Sequence, residues 1–460
     1  MKLEGRAAVY VLFSIVVLAC ALGSLTQTVM NSMLQGVEAD FGVGEELGQW
    51  LATAYMLVLG VTVPAVTYLS QRFSVRQLVL IALGFFLVGA IAALLAPTFW
   101  ALLLARVLQA VAAGIVMPLM QSVAVTRFPP TQTGTAMGVS GIALGFAPNI
   151  GPLVGGALVD TWGWRSYFAI LAALVILLTA ATLVFVRREK APKGSSSVLD
   201  VPSLALSTLG FGGLLMGFSD AASMSFSSPL VWAPCLVGAV CLVLFVRRQG
   251  ATEHPLIHLD VFRSRRFRAS FLAQNLLFGS FMGVTLTVPL YVQGLVGGTA
   301  LQAGLVFLPA TVGALVFNPL AGVLSDRIGA RPVTLVASTC LFLGAFSMSF
   351  MDASTPLPSV AAMQLVRGIG VSSLIGPLNS WGMKELPADR AMDGSALIVA
   401  VRQACASLGT ALMVLFITSV SPLAAQGLAG GAVGCHLSFG FSAALSAGVL
   451  AVCAVAVRGR

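Results

Sequence analysis

The amino-acid sequence predicts an all-α membrane protein with fourteen transmembrane helices, and three observations support this prediction. First, 58% of the 460 residues are hydrophobic and only 9% are charged, whereas about 25% of the residues of a soluble protein are charged. Second, apolar runs of about 20 residues, the length that crosses a bilayer, recur along the chain. Third, basic residues gather in the connections that follow every second run. So little charge excludes a soluble enzyme, a nucleic-acid-binding protein and a disordered scaffold.

The predicted spans leave only short connections and no room for an extramembrane domain. The seventh and eighth are the shortest, and they separate two sets of six. In chain order the spans cover residues 9–30, 50–69, 78–96, 99–119, 136–159, 167–186, 203–218, 230–246, 269–290, 303–324, 333–351, 359–378, 395–418 and 437–457.

The positions of the basic residues give the expected orientation. With the N-terminus in the cytoplasm, 21 of the 25 Lys and Arg residues fall in cytoplasmic loops or tails. This bias would vanish if one mid-chain span were added or lost, because every later loop would change sides. We therefore expect a multi-pass protein of the cell (inner) membrane, surrounded by the lipid bilayer, with both termini cytoplasmic and no nucleic-acid partner.

Three short patterns recur in the same order at a nearly constant offset. Pro118 and its neighbours recur at Pro377, Gly134 recurs at Gly394, and the stretch 69–72 recurs at 324–327. Such a parallel repeat predicts two related six-helix bundles around one shared cavity. We predict an N-terminal six-helix bundle over residues 1–190, two additional transmembrane helices over 191–250, and a C-terminal six-helix bundle over 251–460.

The sequence has no motif of a catalytic or ATP-driven protein. It contains no G-x-x-x-x-G-K-[ST] phosphate loop, no G-x-S-x-G nucleophile motif and no H-E-x-x-H zinc motif. The seven cysteines have no C-x-x-C spacing, so neither a metal site nor a disulfide framework is predicted. We expect a carrier without catalytic residues, metal or cofactor. A channel or a non-transporting sensor is the remaining alternative.

A glycine- and arginine-containing motif follows the tenth predicted span, with Gly322, Asp326, Arg327, Gly329 and Arg331 at its key positions. Gly329 permits a tight turn. We expect Asp326 to cap the N-terminus of the next helix, and Arg327 and Arg331 to hold the interface between the bundles. The alternative is an ordinary well-formed loop.

The fifth predicted span contains two prolines and several glycines within twelve residues. Prolines inside a helix free backbone carbonyls and bend it, and glycines allow close helix contact. A bent segment should face protein or water rather than lipid, although simple packing is the alternative. The residues are Gly145, Pro148, Gly151, Pro152, Gly155 and Gly156.

These features resemble the fourteen-helix drug:proton antiporter (multidrug resistance exporter) branch of the major facilitator superfamily, over nearly the whole chain. The fourth span contributes Arg106 and Gln109, and the stretches 145–156, 162–165, 254–262 and 322–331 are similar to those typical of the superfamily or branch. The resemblance implies the major facilitator fold, with two inserted helices between the bundles. It also implies export of small amphiphilic molecules or drugs by alternating access, coupled to proton antiport.

The sequence departs from the branch at two places that bear on coupling. Thr26 stands where the branch usually carries an aspartate in helix one, and the first inner-loop motif, 67–76, lacks the usual glycine and aspartate. No acidic residue falls in the middle of a predicted span, and Asp220, at the outer end of the seventh, is the proton-coupling candidate. An uncoupled or differently coupled carrier of an anionic or neutral metabolite is therefore the alternative.

The predicted cavity is neutral to positive, because the spans retain three arginines and no mid-membrane acid. We hypothesise that the substrates are neutral or anionic amphiphiles, with Arg106 as their electrostatic anchor. The other candidates are polar or aromatic residues on apolar spans, where a polar group needs a partner or water. Hydrogen bonding between helices is the alternative for the amides. The full set is Thr26, Asn31, Trp50, Tyr55, Arg106, Gln109, Asn149, Gln274, Asn275, Phe278, Asn379 and Arg402.

Overall fold

The computed structural model describes residues 6–187, 200–223, 229–252, 255–424 and 429–457. Within these ranges, fourteen helices are long and apolar enough to cross a membrane, as the sequence predicts. They are α1 (Arg6–Phe41), α2 (Leu47–Arg72), α3 (Val75–Leu94), α4 (Phe99–Thr126), α5 (Thr133–Val159), α6 (Arg165–Phe185), α7 (Val201–Phe218), α8 (Val231–Ala251), α9 (Arg265–Leu295), α10 (Leu301–Ile328), α11 (Ala330–Met348), α12 (Leu357–Met383), α13 (Ala388–Ile417) and α14 (Val433–Ala456).

Several helices extend beyond the apolar runs that predict them, and α1 extends furthest. α1 continues past Met30 to Phe41, because Met33 and Val37 on the added turns are fully buried. Near its end, Asp40 accepts hydrogen bonds from Trp164 and Arg165. Tertiary contacts thus stabilise polar helical turns that hydropathy alone places in a loop.

The extra turns of α13 bring an acidic residue into a helix. Hydropathy places the start of this span at Ser395, but α13 already includes Asp393. The Asp393 side chain is nearly buried, and its Oδ2 lies 3.0 Å from Nδ1 of His258. His258 belongs to the segment before α9, which also holds a short 3-10 helix, Leu259–Arg263. The sequence predicts neither this burial nor this pair.

α5 is interrupted by a π-helical segment, Ile142–Phe146. The N–H of Ala147 reaches back five residues to the carbonyl of Ile142, and Pro148, which has no N–H, follows directly. A widened turn beside a proline is a known way to accommodate the missing hydrogen bond. The irregularity that the two prolines predict is therefore present, as a π turn before Pro148.

The helices form two bundles with a helix pair beside them. In the first bundle α1 packs against α2, α4, α5 and α6, and α3 packs against α4 and α6. In the second, α9 packs against α12, α13 and α14, while α12 also contacts α10 and α11. The inserted helices α7 and α8 pack on each other, and α7 additionally contacts α2 and α13. α7 therefore touches both bundles.

The predicted division into 1–190, 191–250 and 251–460 stays a prediction, and its first boundary lies outside the described residues. For orientation, we call the side at which α1 begins the basic side. Successive helices alternate in direction, so α4, α10 and α12 end on the basic side, where α5, α9 and α13 begin. The other side is called the opposite side.

Candidate functional site

The guanidinium of Arg106 is enclosed within the first bundle. Its Nη1 donates to the main-chain carbonyl of Thr26 at 2.9 Å and to Oε1 of Gln109 at 3.1 Å, and its Nε donates to the carbonyl of Leu51 at 3.2 Å. The guanidinium carbon lies 4.4 Å from the centroid of the Tyr55 ring. No part of Arg106 is exposed. Carbonyl dipoles and an aromatic face stabilise a buried cation, so Arg106 here joins α1, α2 and α4 and does not line an open cavity.

Thr26 and Tyr55 belong to the same buried group. The Tyr55 hydroxyl donates to the carbonyl of Gly23 at 2.8 Å, and the Thr26 hydroxyl lies 2.7 Å from the Tyr167 hydroxyl. Tyr167 is not among the predicted site residues. Its hydroxyl at the start of an apolar span is the sequence feature from which its role could have been predicted. The structure therefore brings four predicted site residues together, and they hold α1, α2 and α4 against one another. They are Thr26, Tyr55, Arg106 and Gln109.

Arg367 makes the equivalent arrangement in the second bundle. Its Nη2 donates to the carbonyls of Ser280 at 2.9 Å and Phe281 at 3.3 Å, and its Nη1 donates to Oε1 of Gln364 at 3.4 Å. Arg367 is fully buried like Arg106. Each arginine thus reaches from the fourth helix of its bundle to main-chain carbonyls of the first helix, α1 or α9, as the sequence repeat predicts. Arg106 also reaches α2, whereas both carbonyls bound by Arg367 belong to α9.

Asp326 joins the two bundles on the basic side. Its Oδ1 accepts the main-chain N–H of Gly134 at 2.9 Å, and its Oδ2 accepts the N–H of Thr135 at 2.6 Å and the Thr135 hydroxyl at 2.8 Å. The Nζ of Lys384 lies 3.5 Å from Oδ1. The two N–H groups are unpaired donors of the first turn of α5, where the helix dipole favours an anion.

The expected roles of this motif are therefore partly wrong. Asp326 does not cap the following helix, α11; it caps α5 of the other bundle, because folding places the end of α10 beside the start of α5. Arg327 and Arg331 do not hold the interface: both are exposed, and no ion pair or hydrogen bond of their side chains occurs within the described part of the chain. Gly329 does adopt the predicted turn conformation, with a φ of +92°.

Glycines allow the backbones of the two bundles to touch beside Asp326. A Cβ atom on Gly138 would lie 2.6 Å from the carbonyl oxygen of Asn318 and 3.0 Å from Cα of Gly322. A Cβ atom on Gly376 of α12 would lie 2.8 Å from Cα of Gly138. Since real Cβ atoms do not approach backbone this closely, any larger residue would force α5 away from α10 and α12.

The second half of α5 packs differently. Cβ atoms on Gly151 and Gly155 would meet Thr28 and Val29 of α1, within the same bundle, whereas one on Gly156 would find no atom within 4 Å. The close contacts of α5 with the other bundle therefore lie towards the basic side. Within α5, Gly145 lies near Asn318 and Pro148 is buried, whereas Pro152 is exposed. The predicted cavity residues Asn31 and Trp50, towards the opposite side, are exposed as well.

Arg402 lies where the two bundles meet, at mid-depth. Its guanidinium carbon is 4.4 Å from the centroid of the Phe278 ring of α9. Its helix, α13, packs against α2 and α4 of the first bundle, and Cys20 of α1 is a neighbour of its charge. Arg402 is 4% exposed, and its Nη1 is buried with no hydrogen-bond partner among the described residues. Phe278 and Arg402, both predicted cavity residues, thus lie together.

The predicted amides are mostly buried and only half satisfied. The side-chain nitrogens of Asn149, Gln274 and Asn275 donate to residues four positions earlier in their own helices. The oxygens of Gln274, Asn275 and Asn379 are buried and have no partner in the part of the chain that the structure describes. Such atoms are commonly satisfied by water or ligand, so these amides retain hydrogen-bonding capacity for a substrate path.

Comparison with known proteins identifies the family. The family model of the Major Facilitator Superfamily matches residues 16–410. The chain belongs to the major facilitator superfamily. It is thus a membrane transporter, not an enzyme. The major facilitator fold is also that of the human organic anion transporter MFSD10 (TETRAN), with a TM-score of 0.65 and 16% identity over 97% of this chain and 99% of that one.

Curated relatives cover most of this major facilitator chain. An uncharacterized MFS-type transporter, YcnB of Bacillus subtilis, is 34% identical over 88% of this chain and 85% of its own. The lincomycin resistance protein LmrB of Bacillus subtilis is 31% identical over 86% and 83%. A multidrug resistance protein B homolog of Mycobacterium tuberculosis is 29% identical over 87% and 75%. The chain is thus similar to multidrug resistance proteins of the superfamily.

Three acidic residues of this major facilitator protein bear on proton coupling. Asp220 lies beyond Phe218 at the end of α7, and its side chain is outside the described part of the structure. Asp326 and Asp393 are acidic side chains of the helices that are nearly buried, with 6% and 5% exposure. Sequence reasoning missed Asp393 because the helix begins earlier than its apolar run.

Proposed function

We propose that this transporter exports small amphiphilic molecules or drugs across the cell membrane by alternating access, with both termini cytoplasmic and protons moving in the opposite direction. The similarity to lincomycin and multidrug resistance proteins supports drugs as substrates. The excess of basic residues on the side where α1 begins supports the cytoplasmic placement of the termini.

The cross-bundle cap of α5 by Asp326 is the observation that carries alternating access. A carboxylate on one bundle and a helix N-terminus on the other are held by three hydrogen bonds on the basic side. Close glycine contacts of α5 lie on that side, while Gly156 further along is open. This arrangement supports an outward-facing state closed towards the cytoplasm, and rocking of the bundles would open one side as it closes the other.

Proton coupling requires a titratable group whose protonation changes the balance between the two states. Asp326 is one candidate, because its carboxylate joins the two bundles through the α5 N-terminus and Lys384. Asp393 is the second candidate, since this nearly buried carboxylate contacts His258 and lies 3.9 Å from Arg390.

The test is transport by the purified protein in liposomes that contain a pH-sensitive dye. Addition of lincomycin under a proton gradient should drive drug movement and a proton flux in the opposite direction. Asp326→Asn and Asp393→Asn should each reduce the proton flux per drug molecule, whereas Asp389→Asn, at a 71% exposed side chain, should leave it unchanged. Drug accumulation with no proton flux in the wild type would disprove the antiport.

An uncoupled or differently coupled carrier of an anionic or neutral metabolite is the second candidate. Two observations favour it. Position 26 of helix one carries a threonine and no carboxylate, and the charge at mid-depth is the positive one of Arg402, whose Nη1 has no partner among the described residues. Counterflow separates the two candidates. A carrier of this second kind would exchange labelled for unlabelled substrate at a rate that an imposed pH gradient does not alter.

A further inference from the structure

We propose that Arg402, Phe278 and Cys20 form a binding site for the anionic group of an amphiphilic substrate, a carboxylate or sulfonate attached to an aromatic body. This inference rests on the proposed transport function and names the class of substrate that the site takes. Arg402 is then the electrostatic anchor of the substrate, in place of Arg106, which the sequence predicts for this role.

The three residues lie at similar distances along three helices. Cys20 lies fourteen residues from the start of α1, Phe278 thirteen from the start of α9 and Arg402 fourteen from the start of α13. All three helices begin on the basic side, and a rise of about 1.5 Å per residue places each residue about 20 Å along its helix. Because α13 also packs against α2 and α4 of the first bundle, Arg402 lies on a helix at the interface between the bundles.

The three buried arginines differ in their hydrogen bonding. Arg106 donates to two main-chain carbonyls and one amide oxygen, and Arg367 does the same. Nη1 of Arg402 is buried with no acceptor, and no hydrogen bond of this side chain occurs within the described residues. Nη2 of Arg106 and Nε of Arg367 also lack a partner there, but each of those arginines makes three hydrogen bonds. Arg402 makes none, so it is the arginine with the most donor capacity left for a ligand.

The chemistry of an unpaired buried guanidinium specifies the ligand. A charge removed from water without a counter-charge is costly, and an anion that binds it recovers much of that cost. The guanidinium fork matches the two oxygens of a carboxylate or sulfonate. The Phe278 ring holds one face of the guanidinium and offers an apolar surface for the body of the ligand. The Cys20 thiol is fully buried and adds no charge that would repel an anion.

Binding of three matched probes tests the proposal. Naphthaleneacetate, naphthaleneacetamide and naphthylmethylammonium share one ring and carry a negative, a neutral and a positive group. Each would be titrated by calorimetry into the full-length protein in nanodiscs of phosphatidylcholine, which has no net charge. We expect the anion to bind at least tenfold more tightly than the amide and the cation not to compete with it.

Variants of the two polar residues assign the site. Arg402→Gln should weaken anion binding at least tenfold and Arg402→Lys much less, while Arg268→Gln, at an exposed arginine at the start of α9, should have no effect. Cys20→Asp should abolish anion binding by supplying an internal carboxylate, and the isosteric Cys20→Asn should not. The Cys20 pair keeps the test decisive if Arg402→Gln does not fold.

Three results would overturn the proposal: equal affinity for the anion and the cation, unchanged anion binding in Arg402→Gln, or equal effects of Cys20→Asp and Cys20→Asn. These binding measurements need neither transport nor a proton gradient. Failure of the anion site can therefore be told apart from failure of proton antiport, which the liposome assay reports.

Discussion

Arg106 donates a 2.9 Å hydrogen bond to the main-chain carbonyl of Thr26, the residue that stands where an aspartate is usual in the branch that this chain resembles. With no carboxylate at this position, the described residues stabilise the guanidinium through carbonyl dipoles, the Gln109 amide and the Tyr55 ring. Its Nη2 has no hydrogen-bond partner among them. The Thr26 hydroxyl is engaged with Tyr167. The pair therefore joins α1 to α4 and holds no titratable acid.

Arg106→Ala is expected to destabilise the protein. It leaves the carbonyls of Thr26 and Leu51 unsatisfied inside the bundle, at a cost of about 2–4 kcal/mol. Arg106→Lys should recover little, because an ammonium cannot repeat the spread of donors to both carbonyls and the amide. Thermal unfolding followed by tryptophan fluorescence checks this, with Arg268→Ala as the exposed control. A variant that unfolds like the wild type but loses one substrate class would show that Arg106 contacts substrate.

Asp326→Asn is expected to shift the protein towards the state that is open on the basic side. The amide keeps the shape of the side chain but loses the charge that caps α5 and attracts Lys384, which is worth about 1–2 kcal/mol, or roughly a tenfold change in populations. Spin labels on Leu95→Cys and Phe350→Cys, two exposed positions on the opposite side of different bundles, report the change. Their distance should shorten in Asp326→Asn and stay as in the wild type in Asp389→Asn. An unchanged distance in Asp326→Asn would show that Asp326 does not affect the equilibrium between the two states.

Two glycines of α5 provide a matched comparison. Gly138→Val should prevent closure on the basic side and abolish transport, because its side chain would overlap the backbone of Asn318 and Gly322. Gly156 lies on the same helix, and a Cβ atom there meets no atom within 4 Å. In Gly156→Val, folding and the resting distance between the spin labels should therefore remain those of the wild type. Drug uptake into liposomes and the distance between the spin labels are measured for both variants. Full activity of Gly138→Val would refute backbone contact as a requirement for the closed state.

The Asp200–Arg248 pair predicts a pH-dependent effect of one variant. Arg248 donates to both carboxylate oxygens of Asp200, at 2.9–3.2 Å. This guanidinium, ahead of the Ser203 hydrogen bonds, lowers the pKa of Asp200 below its usual value. A lowered pKa contributes stability above the pKa of the unfolded chain, about 3.9, and that contribution is lost as pH falls towards the folded value.

Arg248→Gln should therefore lower the Tm slightly at pH 7 and have no effect in strong acid. The effect is small because Arg248 is 42% exposed. Thermal unfolding of both proteins between neutral and acidic pH measures the difference, and Arg247→Gln is the neighbouring control. A difference that grows as the pH falls would mean that Asp200 is not the partner responsible.

Much of the fold was determined by the sequence alone. The number of helices follows from the apolar runs, because lipid requires every spanning segment to satisfy its own backbone hydrogen bonds. Gly329 specifies its turn through a backbone conformation that favours glycine, and Arg106 and Arg367 take equivalent places because the chain repeats. The family could be recognised for the same reason: its motifs are local in sequence.

Only the tertiary structure decided which partners these residues meet. Asp326 caps α5 and not its neighbour α11, and Asp393 is buried against His258. Arg106 makes three hydrogen bonds, whereas Arg402 makes none within the described residues. Each of these contacts joins segments more than one hundred residues apart in the chain or depends on how helices rotate against each other. Hydropathy and spacing determine that a polar residue enters the membrane, but the packing of neighbouring helices decides whether its charge is neutralised there.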